Sequence, residues 1–86
     1  MCLDTLGCKF ETGHVAGVKE FEIKDAETPK QCAIKCLAKR REEYYRDING
    51  ITVDSATGKN CYCERSATTR QSGRSEYKGC FFDLGK

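Results

Sequence analysis

The chain has no tryptophan, one methionine, one proline and one histidine. It also has no run of about 18 apolar residues, which excludes a membrane-spanning helix. Hydrophobic residues make up 38% and charged residues 33% of the 86 positions, so the core must be thin. A single domain of this length buries a limited share of its surface and usually carries covalent staples. The net charge of +2 is too small to point to nucleic acid as a partner. The lone histidine, His14, sits in a stretch bounded by Gly13 and Gly17, with no nucleophile or orienting group marked beside it. It reads as an ordinary solvated loop side chain, and no catalytic residue or cofactor is expected.

Cysteine is what the chain has in plenty, with seven residues. Cys32 and Cys36 lie four apart in a stretch that reads as helix, and Cys61 and Cys63 lie two apart in a stretch that reads as strand. Each pair shares one face of its element. The axial rise is about 6 Å for the helical pair and about 6.6 Å for the strand pair. A helix laid along the strand can therefore present four sulfurs in register. In an oxidising setting they form two bridges, and strand direction decides whether Cys32 pairs with Cys61 or with Cys63. In a reducing setting the same four could bind zinc. Zinc sites favour two-residue gaps on tight turns, however, so the CxxxC and CxC spacings fit disulfides better, and no metal is expected. A third bridge most simply joins Cys8 to Cys80. Cys2 is left over as a free thiol, an intermolecular link giving a disulfide-linked dimer, or the partner of Cys80 in place of Cys8.

No secretory apolar region follows Met1-Cys2-Leu3-Asp4. The expectation is a mature domain expressed with an initiator methionine. The alternative is a cytosolic protein, in which disulfides would not persist.

Phe10 is expected to anchor a first short strand, and residues 11–17 a loop. Phe21 and Ile23 alternate with charge over residues 18–23, the pattern of a half-buried strand. Thr28, Pro29 and Gln31 form a helix start, with a capping residue, a proline at the first helical position and a capping-box partner. The helix is expected to run to between Tyr45 and Asn49. Residues 51–64 read as a hairpin turning through 55–59, residues 65–76 as a long mobile loop, and residues 77–82 as a last strand. The sum is an α+β fold in one domain spanning residues 1–86, with one central helix on a small antiparallel β-sheet.

Two surfaces are candidates for ligand binding. Tyr62 lies between two inward-facing cysteines, so it points to the opposite face of the hairpin, where an exposed aromatic suits sugar or protein contacts. Arg65, Arg70, Arg74 and Lys78 form a loose basic group that, with Tyr77, could hold an acidic glycan through charge-assisted hydrogen bonds. Lys39-Arg40-Arg41 forms a second basic cluster, but Glu42 and Glu43 follow it, as on a solvated helix face.

Leu6-Gly7-Cys8, Cys32-Ala33-Ile34-Lys35-Cys36, Asn60-Cys61-Tyr62-Cys63-Glu64 and Tyr77-Lys78-Gly79-Cys80 together resemble the PAN/apple superfamily of extracellular modules. The first three of these segments are also similar to the WSC domain, a related carbohydrate-associated module with a similar CYC element. Only Cys80 follows CYC here, whereas WSC domains usually carry further cysteines, which favours PAN/apple. The resemblance covers about residues 6–82. It implies a helix disulfide-bonded to a small sheet, linked termini through Cys8 and Cys80, and a non-enzymatic role. Cys2 departs from the pattern and leaves the terminal pairing open. The expected function is a secreted module that binds a carbohydrate or an extracellular protein. The alternatives are an adhesive matrix protein cross-linked through Cys2, and an intracellular zinc module.

Overall fold

The computed structural model describes residues 10–16, 19–71 and 73–82. The strands are β1 (Glu11–Thr12), β2 (His14–Ala16), β3 (Lys19–Ile23), β4 (Ile48–Asp54), β5 (Cys61–Arg65), β6 (Thr69–Gln71) and β7 (Tyr77–Phe81), and the helix α1 is Pro29–Lys39. Among the described residues these make a five-stranded antiparallel sheet in the order β1-β7-β4-β5-β3 and a two-stranded β2-β6 ribbon. The fold is α+β, with one helix on a small sheet and disulfide staples between them.

The helix starts where the sequence predicts. Thr28 is extended, and its hydroxyl accepts from the Gln31 N–H at 3.1 Å. The Gln31 side chain turns back to accept from the Glu27 N–H at 2.8 Å, one residue earlier than the usual capping box. The helix stops at Lys39, not between Tyr45 and Asn49. Glu42 is extended, and a single 3-10 turn follows at Glu43–Tyr45. Tertiary contacts explain the early stop. Tyr45 packs its ring 4.9 Å from that of Phe21, and the Arg65 guanidinium captures the Tyr44 carbonyl and the Asp47 carboxylate, each at 2.7 Å. These partners exist only if the chain leaves the helical path.

Cys32 is bonded to Cys61 and Cys36 to Cys63, with Cα atoms 5.4 and 5.5 Å apart. The helix therefore runs parallel to β5, which resolves the pairing the spacing left open. Cys80 is also disulfide-bonded. The expected pairing with Cys8 and the role of Cys2 fall outside the described residues. The four helix–strand sulfurs are buried with Ala33, Ile48, Ile51, Val53, Cys80 and Phe82, against partly buried Phe10, Phe21, Ile23 and Leu37. Disulfides take the place that larger apolar side chains would fill in a bigger domain, and they point to an oxidising environment. No helix among the described residues is long and apolar enough to cross a membrane.

Two stretches expected to be loops hold strands. Residues 11–17 contribute β1 and β2, and residues 65–76 contribute β6, which pairs with β2 through His14 with Gln71, Val15 with Arg70 and Ala16 with Thr69. β4 likewise begins at Ile48, three residues before the expected strand start, with an irregularity between Ile48 and Gly50. The Asn49 side chain there both donates to the Ala67 carbonyl and accepts from its N–H, at 2.9 and 2.8 Å. That clamp, with Ser66 in a left-handed conformation (φ 54°), turns the chain after β5 back across the sheet. Val15 then packs on Gly50 and Gly79, and its N–H donates to the Thr52 hydroxyl at 3.1 Å. The ribbon thus covers part of the sheet face away from the helix.

Candidate functional site

Strand alternation sends Cys61, Cys63, Ile51 and Val53 toward the helix, and Tyr62, Glu64, Thr52, Glu20 and Glu22 to the outer face. Register aligns them in two rows. Glu20 stands opposite Glu64, which pairs with Gly50, and Glu22 stands opposite Tyr62, which pairs with Thr52 and then Gly79. The β2-β6 ribbon brings His14 onto this face from above.

His14 Nε2 lies 3.0 Å from Glu20 Oε1 and 3.3 Å from Glu64 Oε2. Its Nδ1 lies 3.2 Å from Gln71 Oε1, and its ring is tilted against that of Tyr77 with centroids 5.4 Å apart. Glu64 is 1% exposed, and its Oε2 has no hydrogen-bond partner. The His14 side chain is 20% exposed and that of Glu20 40%. The cluster therefore has a sealed end at Glu64 and a wet end at Glu20.

The two carboxyls divide in their titration. Burial, and after it the neighbouring Glu20, push Glu64 up to about 9, while the Thr52 hydroxyl opposes the rise. For Glu20, burial pushes upward but is outweighed by hydrogen bonding to Glu64 and His14 and by the His14 charge, so its acidity is increased. Such a split is what acid–base catalysis uses. Glu64 itself, at 1% exposure, has almost no surface for an external substrate atom to reach.

The split does predict a pH effect. An unfolded glutamate titrates near 4.5, so across the window from 4.5 to about 9 the folded state holds a proton that the unfolded state lacks. Stability must fall as pH rises through that window. Glu64→Gln removes this slope while leaving the facing groups His14, Glu20, Glu22, Tyr62 and Thr52 in place. In EDTA, the wild type is expected to lose urea resistance from pH 5 to pH 9 relative to the variant. Parallel profiles for the two proteins would refute the assignment.

The structure brings together some of the candidate binding residues and separates others. Tyr62 and Tyr77 both lie on the outer face, on the side of the cluster. Burial raises Tyr62, followed by the charges of Glu22, Tyr77, Glu20 and Glu64. Arg70 reaches this side but donates to the Glu11 and Gly79 carbonyls, at 2.8 and 2.9 Å, with its guanidinium over Phe81. Arg74 lies over the Tyr77 ring and pairs with Glu76 at 2.8 Å. Arg65 sits on the helix side, stacked on Tyr44 and Tyr45. Lys78 alternates away from Tyr77, in register with Val53. The three guanidiniums are engaged within the protein, and the open face is lined by carboxylates and aromatic rings.

The sequence reading took His14 for a solvated loop side chain, whereas it lies on strand β2, only 20% exposed, between Glu20 and Gln71, and it left Glu20 and Glu64 unmarked. Their only local signal is alternation: Glu20 precedes inward Phe21 and Glu64 follows inward Cys63, which puts both on the outer face. Nothing local pairs them or brings His14 to them.

Two groups of metal-ligating side chains converge among the described residues. One is Cys32, Cys36 and Cys61, whose sulfurs are consumed in disulfides. The other is His14, Glu20 and Glu64, whose ligand atoms all lie within 4.8 Å of one another. Two shallow clefts of about 280 and 290 Å3 flank the exposed side of α1, near Asp25 and Lys35. Their charges are exposed surface pairs, Lys35 with Asp25 and Lys39 with Glu42, each at 3.4 Å, and such pairs contribute little. The chemistry lies on the opposite side of the sheet. Comparison with known proteins finds no matching family model, no matching curated protein and no matching solved structure.

Proposed function

We propose that this chain is a secreted, non-enzymatic binding module of the PAN/apple type that takes a carbohydrate on the outer face of its sheet. The observation that carries this reading is the placement of Tyr62 and Tyr77 on one face with the carboxylates of Glu20 and Glu22. A sugar ring offers an apolar C–H face to an aromatic side chain, and its hydroxyls donate to carboxylates in charge-assisted hydrogen bonds. The stapled sheet holds these groups in place before the ligand arrives, which lowers the ordering cost of binding. A neutral, hydroxyl-rich glycan fits better than a sulfated one, because Arg65, Arg70 and Arg74 already have internal partners. The PAN/apple resemblance and the oxidising environment implied by the disulfides support an extracellular setting.

The test is a screen of neutral and sulfated oligosaccharides against the oxidised protein, followed by calorimetry on the strongest binder. Tyr62→Ala is expected to weaken a neutral ligand about tenfold or more, since an aromatic anchor of this kind contributes over about 1.4 kcal/mol. Binding confined to sulfated glycans, or unchanged by Tyr62→Ala, would remove the reading. A protein ligand is the second possibility within the same class. It is favoured by the exposure of Tyr44 (65%) and Ile34 (47%), which lie off this face.

A further inference from the structure

Glu20 and Glu64 are direct cross-strand partners on the outer face. Two carboxyls in that relation repel unless a positive charge or a proton stands with them. The third group of the cluster sharpens the requirement. His14 Nδ1 faces Gln71 Oε1 at 3.2 Å, and the tautomer protonated there leaves the Nε2 lone pair free to bind a cation. Nε2 faces Glu20 Oε1, 3.0 Å away, and Glu64 Oε2, 3.3 Å away. Three atoms able to ligate a cation thus converge from β2, β3 and β5. The innermost belongs to a residue that is 1% exposed, and it has no hydrogen-bond partner. In the Nδ1-protonated tautomer, what such an arrangement lacks is an electron-pair acceptor at its centre.

We propose that His14 Nε2, Glu20 Oε1 and Glu64 Oε2 form a binding site for one divalent transition-metal ion of the zinc class. The geometry favours this class. Zinc bonds of about 2.0–2.2 Å to nitrogen and oxygen place tetrahedral ligand atoms about 3.3 Å apart. The two edges from Nε2, 3.0 and 3.3 Å, are already close to this, and all three atoms lie within 4.8 Å of one another. The remaining edge closes by rotation of Glu20, which is the exposed member of the set. One imidazole with two carboxylates is a mixed nitrogen and oxygen set. It suits zinc, manganese or cobalt, and it is too small for calcium, which takes six to eight oxygens. The surroundings are those of a metal site. Gln71 orients the imidazole through its other nitrogen, as outer partners of ligating histidines do, and the Tyr77 ring restrains it from the side. Three protein ligands leave a coordination position free at the wet end, toward Glu20. The site does not depend on the carbohydrate reading and stands if no sugar binds.

The competing occupant is a proton shared among the three groups, and the test separates the two. The oxidised full chain, with any free thiol alkylated so that no sulfur can bind metal, is titrated with Zn2+ by calorimetry. His14 is the only histidine, so its ring signals in a proton NMR spectrum report on the site directly, and Mn2+ serves as a paramagnetic probe of the same place. The expected result is one Zn2+ per chain, a shift of the His14 ring signals on binding, and their broadening by substoichiometric Mn2+. Glu64→Gln and Glu20→Gln should each weaken Zn2+ about tenfold or more, and Gln71→Ala by about tenfold as an orienting residue. Glu20 is partly exposed, so its variant tests the site even if Glu64→Gln perturbs the fold. The proposal is overturned by absence of saturable binding below about 1 mM. It is equally overturned by Zn2+ binding that Glu20→Gln leaves unchanged, or by binding that leaves the His14 signals in place.

Discussion

Reduction of the disulfides is expected to unfold this protein at physiological temperature. The Cys32–Cys61 bridge spans 29 residues and the Cys36–Cys63 bridge 27. In the chain-entropy treatment a first loop of that size contributes about 3.5 kcal/mol. The second contributes less. Once Cys32 and Cys61 are joined, the remaining loop runs only from residue 32 to 36 and from 61 to 63, so closing it adds about 2.5 kcal/mol. Together they supply about 6 kcal/mol, comparable to the whole stability of roughly 4–13 kcal/mol expected for a domain of this length. The overlap of the two loops yields a graded prediction. Replacing Cys36 and Cys63 by alanine removes the smaller share, and the variant should stay folded with its melting temperature lowered by roughly 10–20 °C. Reduction of the wild type should abolish protection from trypsin and the near-ultraviolet dichroism of the tyrosines. Retention of both signals in excess reductant would show that the apolar core suffices without the bridges.

Gly79→Ala is expected to be the most damaging methyl group added at the glycines whose surroundings the structure describes. A Cβ at Gly79 would stand 2.5 Å from the Ile51 carbonyl oxygen and 2.8 Å from Val15 Cγ2. The first obstacle is backbone in the middle of the β4–β7 pairing. The second is the side chain by which the β2-β6 ribbon rests on the sheet. Neither can swing aside as a flexible surface side chain would, so the cost should reach about 3 kcal/mol, at the upper end for overpacking. In a domain this small that lowers the melting temperature by roughly 12–24 °C. The ribbon carries His14, so the substitution should also displace the His14 ring signals. Gly73→Ala is the control: no atom lies within 4 Å of a Cβ there, and it should change stability by less than about 0.5 kcal/mol. Equal melting temperatures for the two variants would mean that the ribbon is not held against Gly79.

The helix start was legible because it is written in adjacent residues. Thr28, Pro29 and Gln31 do locally what a cap requires, wherever the helix lies in the fold. The helix end was not, because Lys39 to Arg46 contains nothing that forbids helix. It stops for the sake of Arg65, Asp47 and Phe21, which are distant in sequence or bound by distant groups. Residues 65–76 read as loop for a similar reason. Thr69-Arg70-Gln71 has no apolar alternation, and it becomes a strand only because β2 lies beside it.

The sequence by itself determined the stapling. A spacing of four on a helix and two on a strand gives nearly equal rises, so the sulfurs could meet in pairs once the two elements lay together. It also assigned the faces, because alternation is a property of the strand alone: Tyr62 and Glu64 had to lie opposite the cysteines. Tertiary structure decided which sulfur met which, since that depends on the helix running parallel to β5. It also decided the cluster. His14, Glu20 and Glu64 sit on three separate strands, and they converge only because β3 is the edge neighbour of β5 and the ribbon folds over both. Local chemistry sets the direction in which each side chain points, whereas strand order, fixed by long-range pairing, sets which side chains share a place.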